Sequence, residues 1–179
     1  MELHTGERDA VFPIPVFIGI SERFRAIQGM TERSIRQNTQ APVDIVHLYP
    51  EVESGCTGFS NVRYTIRYGI YLDCDMIVLG DIAELWGYRQ SDRFVCMEDG
   101  STEVAVIDCR HFCTNKREQY LLPKVCAIPP EWNVEDHKLG DREPVGAKLI
   151  HYTDLNKQPW VHGPHPNTHI EALWHQYVG

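Results

Sequence analysis

At 179 residues, 42% of them hydrophobic, the chain is long enough to bury one good core, and a single domain spanning residues 1–179 is the expectation. A net charge of −8 and a sequence pI near 5.5, with no run of Lys and Arg, argue against nucleic acid or an anionic membrane as the main partner. No stretch approaches the roughly 20 apolar residues of a membrane span, and the N-terminal MELHTGERDA has no basic region followed by an apolar core, so neither a transmembrane segment nor a signal peptide is expected. Cys56, Cys74, Cys96, Cys109, Cys113 and Cys126 are scattered without a CxxC pair, and most fall in apolar runs. That pattern predicts buried, reduced thiols in a cytoplasmic protein.

In chain order, Val16 to Ile20 is a continuous apolar strand after Pro13 and Pro15. Ser21 is placed to cap a helix from Glu22 to about Asn38, with Ile27, Met30, Ser34 and Ile35 facing a core. Asp44 to Leu48 reads as the next strand. Ser60 or Asn61 is positioned to cap a short helix closed by Gly69, and an apolar strand through Tyr71 and Leu72 follows at once. Asp81 precedes a helical turn ending near Trp86, where an Asp is usually a cap. Phe94 to Met97, Val104 to Ile107, Lys124 to Ile128 and Lys148 to Tyr152 are short strands, and Arg110 to Leu122 is predicted helical. Ile170, Leu173, Trp174 and Tyr177 fall at helical spacing, a stripe that predicts a short docking helix in the tail, 161–179, behind a core of 12–160. Strands alternating with helices point to an α/β fold with a mainly parallel sheet flanked by helices.

The most informative segment is YLDCDMIVLGDIAELW, Tyr71 to Trp86. Asp73 and Asp75 stand one residue apart at the end of an apolar strand, so both project to the same side. Two carboxylates converging on one spot repel unless a cation lies between them, and a hard divalent metal is the simplest resolution. LIHYTDLNKQPW, Leu149 to Trp160, adds His151 on a second apolar run and Lys157 six residues on. Imidazole with two carboxylates is a mixed set that suits manganese better than calcium, and the lysine is a cation of the kind a phosphate-bearing substrate needs. A plainer role stands beside this one for the acidic pair, as surface aspartates at a strand end, and for His151, as a hydrogen-bonded core histidine.

Together these segments resemble the retaining glycosyltransferases of the glycogenin and lipopolysaccharide-galactosyltransferase type, glycosyltransferase family 8. The first is similar to that family's YLDxDhhVxxDhxxLW and the second to its closing HYxxxxKPW, with further likeness in VFIGI (Val16 to Ile20), FSNVRY (Phe59 to Tyr64) and PPEWN (Pro129 to Asn133). The resemblance implies a shortened GT-A type nucleotide-diphospho-sugar transferase fold. It implies a nucleotide-diphospho-sugar donor, a glycan or other small acceptor, retention of configuration, and Mn2+ or Mg2+ held by Asp73, Asp75 and His151. Lys157 is expected to grip the diphosphate, Gly19, Ile20 and Ser21 to border the nucleotide, and Arg63, with Arg67 as its competitor, to stabilise the donor. Asp108 is expected near the sugar, while Glu131 and Asn133 either touch sugar or close a turn around a packed Trp132. Ile20 and Ser21 stand where the family has an acidic residue, only nine residues separate Arg63 from Asp73, and the acidic-Gln motif before PPEWN is missing. The base and the sugar are therefore left open.

Three alternatives remain on the residues. A non-catalytic nucleotide-sugar-binding module would keep the site without turnover. A haloacid-dehalogenase-type phosphohydrolase would use Asp73 as nucleophile, although Met76 and Ile77 fit that motif poorly. A zinc site on His162, His165, His169 and His175 lacks one-face spacing because Pro164 and Pro166 break the helix, which leaves a solvated histidine-rich tail as the expectation.

Overall fold

A computed structural model describes residues 12–20, 22–48, 68–109 and 123–178. Ser21, Arg63, Arg67, Cys56, Cys113 and the predicted helices near Ser60 and over Arg110 to Leu122 lie outside the described residues.

The apolar run after Pro13 forms strand β1 (Ile14–Gly19). A 3-10 segment (Glu22–Ile27) leads into helix α1 (Gln28–Asn38), so the predicted single helix begins with a tighter turn. Strands β2 (Val43–Leu48), β3 (Tyr68–Asp73), β4 (Met76–Val78), β5 (Phe94–Met97), β6 (Val104–Asp108) and β7 (Lys124–Ile128) follow, with helix α2 (Ala83–Trp86) after β4. The chain then makes a 3-10 turn (Pro130–Trp132), strand β8 (Val134–Glu135), helix α3 (Asp136–Leu139), strand β9 (Leu149–His151) and helices α4 (Pro159–His162) and α5 (Thr168–Val178). No described helix is long and apolar enough to cross a membrane.

The main sheet has six strands in the order β2-β1-β3-β6-β5-β7. Only β6 runs against its two neighbours, and the other described pairings in this sheet are parallel. The α/β expectation with a mainly parallel sheet is borne out. A second, three-stranded sheet has the order β4-β9-β8.

One expected strand is in fact two. The run from Tyr68 to Val78 leaves the main sheet at Asp73, bends at Cys74 and Asp75, and enters the small sheet at Met76. The cause lies on α1. The Thr31 hydroxyl bonds the carbonyls of Cys74 (2.6 Å) and Met76 (2.8 Å), the Val78 N–H donates to the Ser34 hydroxyl, and the Asn38 amide donates to the Val78 carbonyl. Three polar side chains on one helix face thus satisfy the edge of β4 that has no strand beside it. Thr31 and Ser34 are completely buried, which is affordable only because their hydroxyls are bonded.

Gly69 does not close a helix. It lies inside β3, where any Cβ would come within 2.1 Å of the Phe17 ring on β1. Asp81 accepts the Ala83 N–H at 2.9 Å at the start of α2, the capping role expected of it.

The core has three parts. One face of the main sheet packs Val16, Ile18, Ile70 and Leu72 against Ile35 of α1. The opposite face carries Phe17, Tyr71, Phe94 and Ala105. A third cluster joins Ile77 and Ile150 of the small sheet to Ile170, Trp174 and Tyr177 of α5. Cys74, Cys96 and Cys109 are buried free thiols, but Cys126 is exposed, against the general expectation, and its sulfur sits 3.6 Å from that of Cys96 across β5 and β7.

Candidate metal centre and active site

In the strand order β2-β1-β3, the chain leaves β1 to one side for β2 and returns to the other for β3. Open α/β sheets bind ligands at such a reversal, beside the carboxyl ends of the strands. The parallel ladder of β1 and β3 ends with Gly19 paired to Asp73 at this point.

Asp73, Asp75 and His151 converge there, each offering a ligand atom within 4.8 Å of the others. Asp75 and His151 are buried, and Asp73 is half-buried. Two elements bring them together. The bend between β3 and β4 turns both carboxylates inward, and β9 lies antiparallel to β4 with Met76 opposite His151. A hydrogen bond from the Tyr152 N–H to the Asp75 carbonyl (3.0 Å) locks β9 to the bend itself.

Each group is held by a neighbour. The Tyr71 hydroxyl donates to Asp73 at 2.8 Å, and burial together with the Asp73 charge holds that phenol far above its usual range, so it stays a donor. Gly19 makes room for it, since a Cβ there would lie 2.2 Å from the Tyr71 oxygen. The His151 ring has Nε2 3.3 Å from Asp75 and Nδ1 3.0 Å from the side-chain oxygen of Asn133. With Nδ1–H donating to Asn133, Nε2 is the nitrogen free to bind a cation, the usual arrangement around a metal-bound histidine.

The electrostatics agree. Burial and the facing Asp75 charge push the Asp73 carboxyl up to about 6, against the lowering effect of the Tyr71 hydrogen bond. For His151, burial opposes the imidazolium, but the hydrogen bond to Asp75 and the charges of Asp75 and Asp73 outweigh it and raise the pKa. Protons are thus drawn into a place where a divalent ion would serve the same end, and two carboxylates with one imidazole fit Mn2+ or Mg2+.

The other expected site residues are distributed unevenly. Gly19 and Ile20 border the group at the end of β1. Lys157 is exposed on the loop after β9, with its ammonium 3.0 Å from Asp154. Asp108 does not join the group. It pairs with Tyr68 at the other end of β3, five residues from Asp73, or about 16 Å along a strand. There it is fully buried and accepts the Asp92 N–H. In PPEWN, Trp132 is buried, and Asn133 touches the histidine.

Sequence inspection missed a second buried network that anchors the loop after His151. One oxygen of Asp136, on α3, accepts bonds from the Thr153 N–H and hydroxyl and the Asp154 N–H; the other lies 3.2 Å from His165 Nε2. The Asn167 N–H donates to His165 Nδ1. Asp136 is 1% and His165 5% exposed, so the tail is not a uniformly solvated histidine-rich segment. Asn-x-x following a His-Pro step is the only signal, a helix cap: the Asn167 side chain accepts the His169 and Ile170 N–H groups at the start of α5.

No protein-family model matches the chain, and no curated protein does. Solved structures do. The glycosyltransferase GlyE of Streptococcus pneumoniae TIGR4 superimposes with a TM-score of 0.67 at 14% identity, over 93% of this chain and 61% of GlyE. The galactosyltransferase LgtC, solved with donor and acceptor sugar analogues, gives 0.60 at 11% identity over 93% of this chain and 95% of that one. The bifunctional glycosyltransferase WbbM gives 0.58 at 16% identity, over 87% of this chain and 48% of WbbM. The chain thus spans less than two thirds of GlyE, and at these identities the likeness is one of fold. The chain thus has the fold of glycosyltransferases, as the family 8 resemblance implies.

Proposed function

We propose that this protein is a metal-dependent glycosyltransferase that moves a sugar from a nucleotide-diphosphate donor to a glycan or other small acceptor with retention of configuration. The observation that carries this is the convergence of Asp73, Asp75 and His151 at the sheet reversal of a glycosyltransferase fold. When the anomeric C–O bond breaks, the electron pair leaves with the diphosphate, and charge grows on its oxygens. Mn2+ or Mg2+ held by the three residues would act there as a Lewis acid.

The protein's own part is to prepare that place. Tyr71 and Asn133 fix the orientation of Asp73 and His151 before substrate arrives. Gly19 and Ile20, with Ser21, border the nucleotide. Lys157 exchanges Asp154 for the diphosphate, and Arg63 supports the donor. A cleft of about 490 Å³, lined by Met97, Asp99, Pro130, Asn133, Glu135 and Lys138, offers room for sugar next to the residue that holds His151.

A panel of nucleotide sugars incubated with and without Mn2+ tests this. Release of nucleoside diphosphate only with metal, abolished by Asp75→Ala, is the expected result. Metal-dependent binding without release would mean a binding module. Release of inorganic phosphate from small phosphoesters, lost in Asp73→Asn, would mean a phosphohydrolase.

A further inference from the structure

Cys96 and Cys126 face each other on neighbouring strands. The parallel ladder of β5 and β7 pairs them in register, and their sulfurs lie 3.6 Å apart. Adjacent strands run about 4.8 Å apart, and partners in a ladder share one face. That spacing falls inside the Cα separation that a disulfide spans. Drawing the sulfurs together to about 2.05 Å therefore needs side-chain rotation and small strand shifts, with no refolding.

The two thiols differ in access. Cys96 is buried in the cluster of Phe94, Ala105 and Ile107, while Cys126 is exposed on β7, the last strand of the sheet. Burial, followed by the hydrogen bond and charge of Cys126, pushes the Cys96 thiol up, and the Lys124 ammonium works against it. Lys124 precedes Cys126 by two residues on β7, so both point to the same face. A cation beside an exposed thiol is the setting in which a thiolate forms and meets an oxidant. The other described thiols are placed differently. Cys74 and Cys109 are buried, and Cys109 stands four residues beyond Ala105, the ladder partner of Cys96, or about 13 Å along an extended chain.

We propose that Cys96 and Cys126 are an oxidative modification site, a dithiol that a peroxide closes to a disulfide across β5 and β7. The Cys126 thiolate attacks one peroxide oxygen. The S–O bond forms, the O–O bond breaks, and the departing hydroxide takes up a proton to become water. The Cys96 sulfur then attacks the Cys126 sulfur. The S–S bond forms, the S–O bond breaks, and the Cys96 proton leaves with the oxygen as a second water. Two thiols are oxidised and one peroxide is reduced.

Contact between the sulfurs makes the second step intramolecular, which offsets the weak acidity of the buried Cys96. The new bond ties together the two strands that lead into the cleft of about 490 Å³: Met97 and Asp99 follow Cys96, and Pro130 and Asn133 follow Cys126. The site stands on this geometry and does not depend on the glycosyltransferase function proposed above.

Treating the reduced, folded chain with hydrogen peroxide tests it, read by intact mass and peptide mapping. The wild type is expected to lose the mass of two hydrogens, to yield a cross-linked peptide pair joining Cys96 to Cys126, and to regain both thiols with dithiothreitol. Cys96→Ser removes the second step, so Cys126 is expected to gain one oxygen and to react with dimedone. Cys126→Ser removes the exposed thiol, and oxidation of Cys96 is expected to slow about tenfold or more. Thermal melting checks that each variant folds, and the wild-type result decides alone where one does not. Cys126 carried to the sulfinic acid with Cys96 still reduced overturns the site. So does a disulfide from either residue to another cysteine, or both thiols unchanged at a peroxide excess that oxidises free cysteine.

Discussion

At Asp73 and His151 the fold holds protons more tightly than an unfolded chain would. Asp73 rises from the ordinary carboxylate range to about 6, and His151 also rises. A group with a raised folded pKa stabilises the fold while protonated, and that stability is lost as pH climbs through the folded value. The metal-free protein is therefore expected to lose stability from about pH 4 to 6 through Asp73, and further above about 6.5 through His151. A divalent ion must displace those protons, so its stabilising effect runs the opposite way. Melting curves with and without Mn2+ should show a metal-induced rise at pH 7.5 that vanishes near pH 5. A rise of equal size at both values would count against these three ligands. Asp73→Asn is expected to raise the metal-free melting temperature by a few degrees while removing the response to Mn2+. Asn133→Ala, which frees the far side of the His151 ring, should weaken Mn2+ binding about 10- to 100-fold with little change in melting. Manganese titration by electron paramagnetic resonance reads this directly.

Secondary elements are held to the site by polar contacts that no hydrophobic pattern reveals. Thr31, Ser34 and Asn38 recur along α1 at helical spacing, like core positions, yet they bond the backbone from Cys74 to Val78. Thr31→Val preserves shape but removes a hydroxyl that bonds the Cys74 and Met76 carbonyls, and is expected to cost about 1–3 kcal/mol in denaturant unfolding. An unchanged midpoint would mean that the bend holds itself. The loop after β9 has its own anchor in Asp136, whose oxygens serve Thr153, Asp154 and His165. Gly19 has a comparable effect on the opposite side of the site. Gly19→Ala sets a methyl group against the buried Tyr71 hydroxyl, so it should weaken metal binding as well as stability.

For the whole molecule, α5 closes the small sheet. Ile170, Trp174 and Tyr177 pack with Ile77, Ile150 and Tyr152, and the Arg33 guanidinium on α1 donates to the Tyr177 and Val178 carbonyls. Trp174→Ala is expected to destabilise the protein by about 3–5 kcal/mol. Because Tyr152 follows His151 directly, the variant should also lose Mn2+ affinity near its melting range; calorimetric scans at several metal concentrations would reveal the coupling. The residues between 49 and 67 and between 110 and 122, with Arg63 among them, lie outside the described residues, so this arrangement concerns the metal-ligating end of the site.

Much was legible in the sequence because strand and helix leave periodic apolar patterns. The strands of the main sheet, β9, α1, α5 and the α/β class were read from periodic patterns, and the trio Asp73, Asp75 and His151 from motifs that resemble those of glycosyltransferase family 8. The split of the Tyr68–Val78 run was not legible, since both halves are apolar and the bend depends on hydroxyls from a helix more than 40 residues earlier. The same holds for His165, whose partner Asp136 lies 29 residues away. Asp108 stands apart from the metal-ligating group for a related reason: its strand runs antiparallel to β3, which carries its carboxyl end away from the group. The sequence alone determined the strands of the main sheet, α1 and α5, and which residues can bind a cation. Only the tertiary structure decided which of them meet, because a chain's local pattern sets side-chain direction within an element, while pairing and topology set which ends share a place.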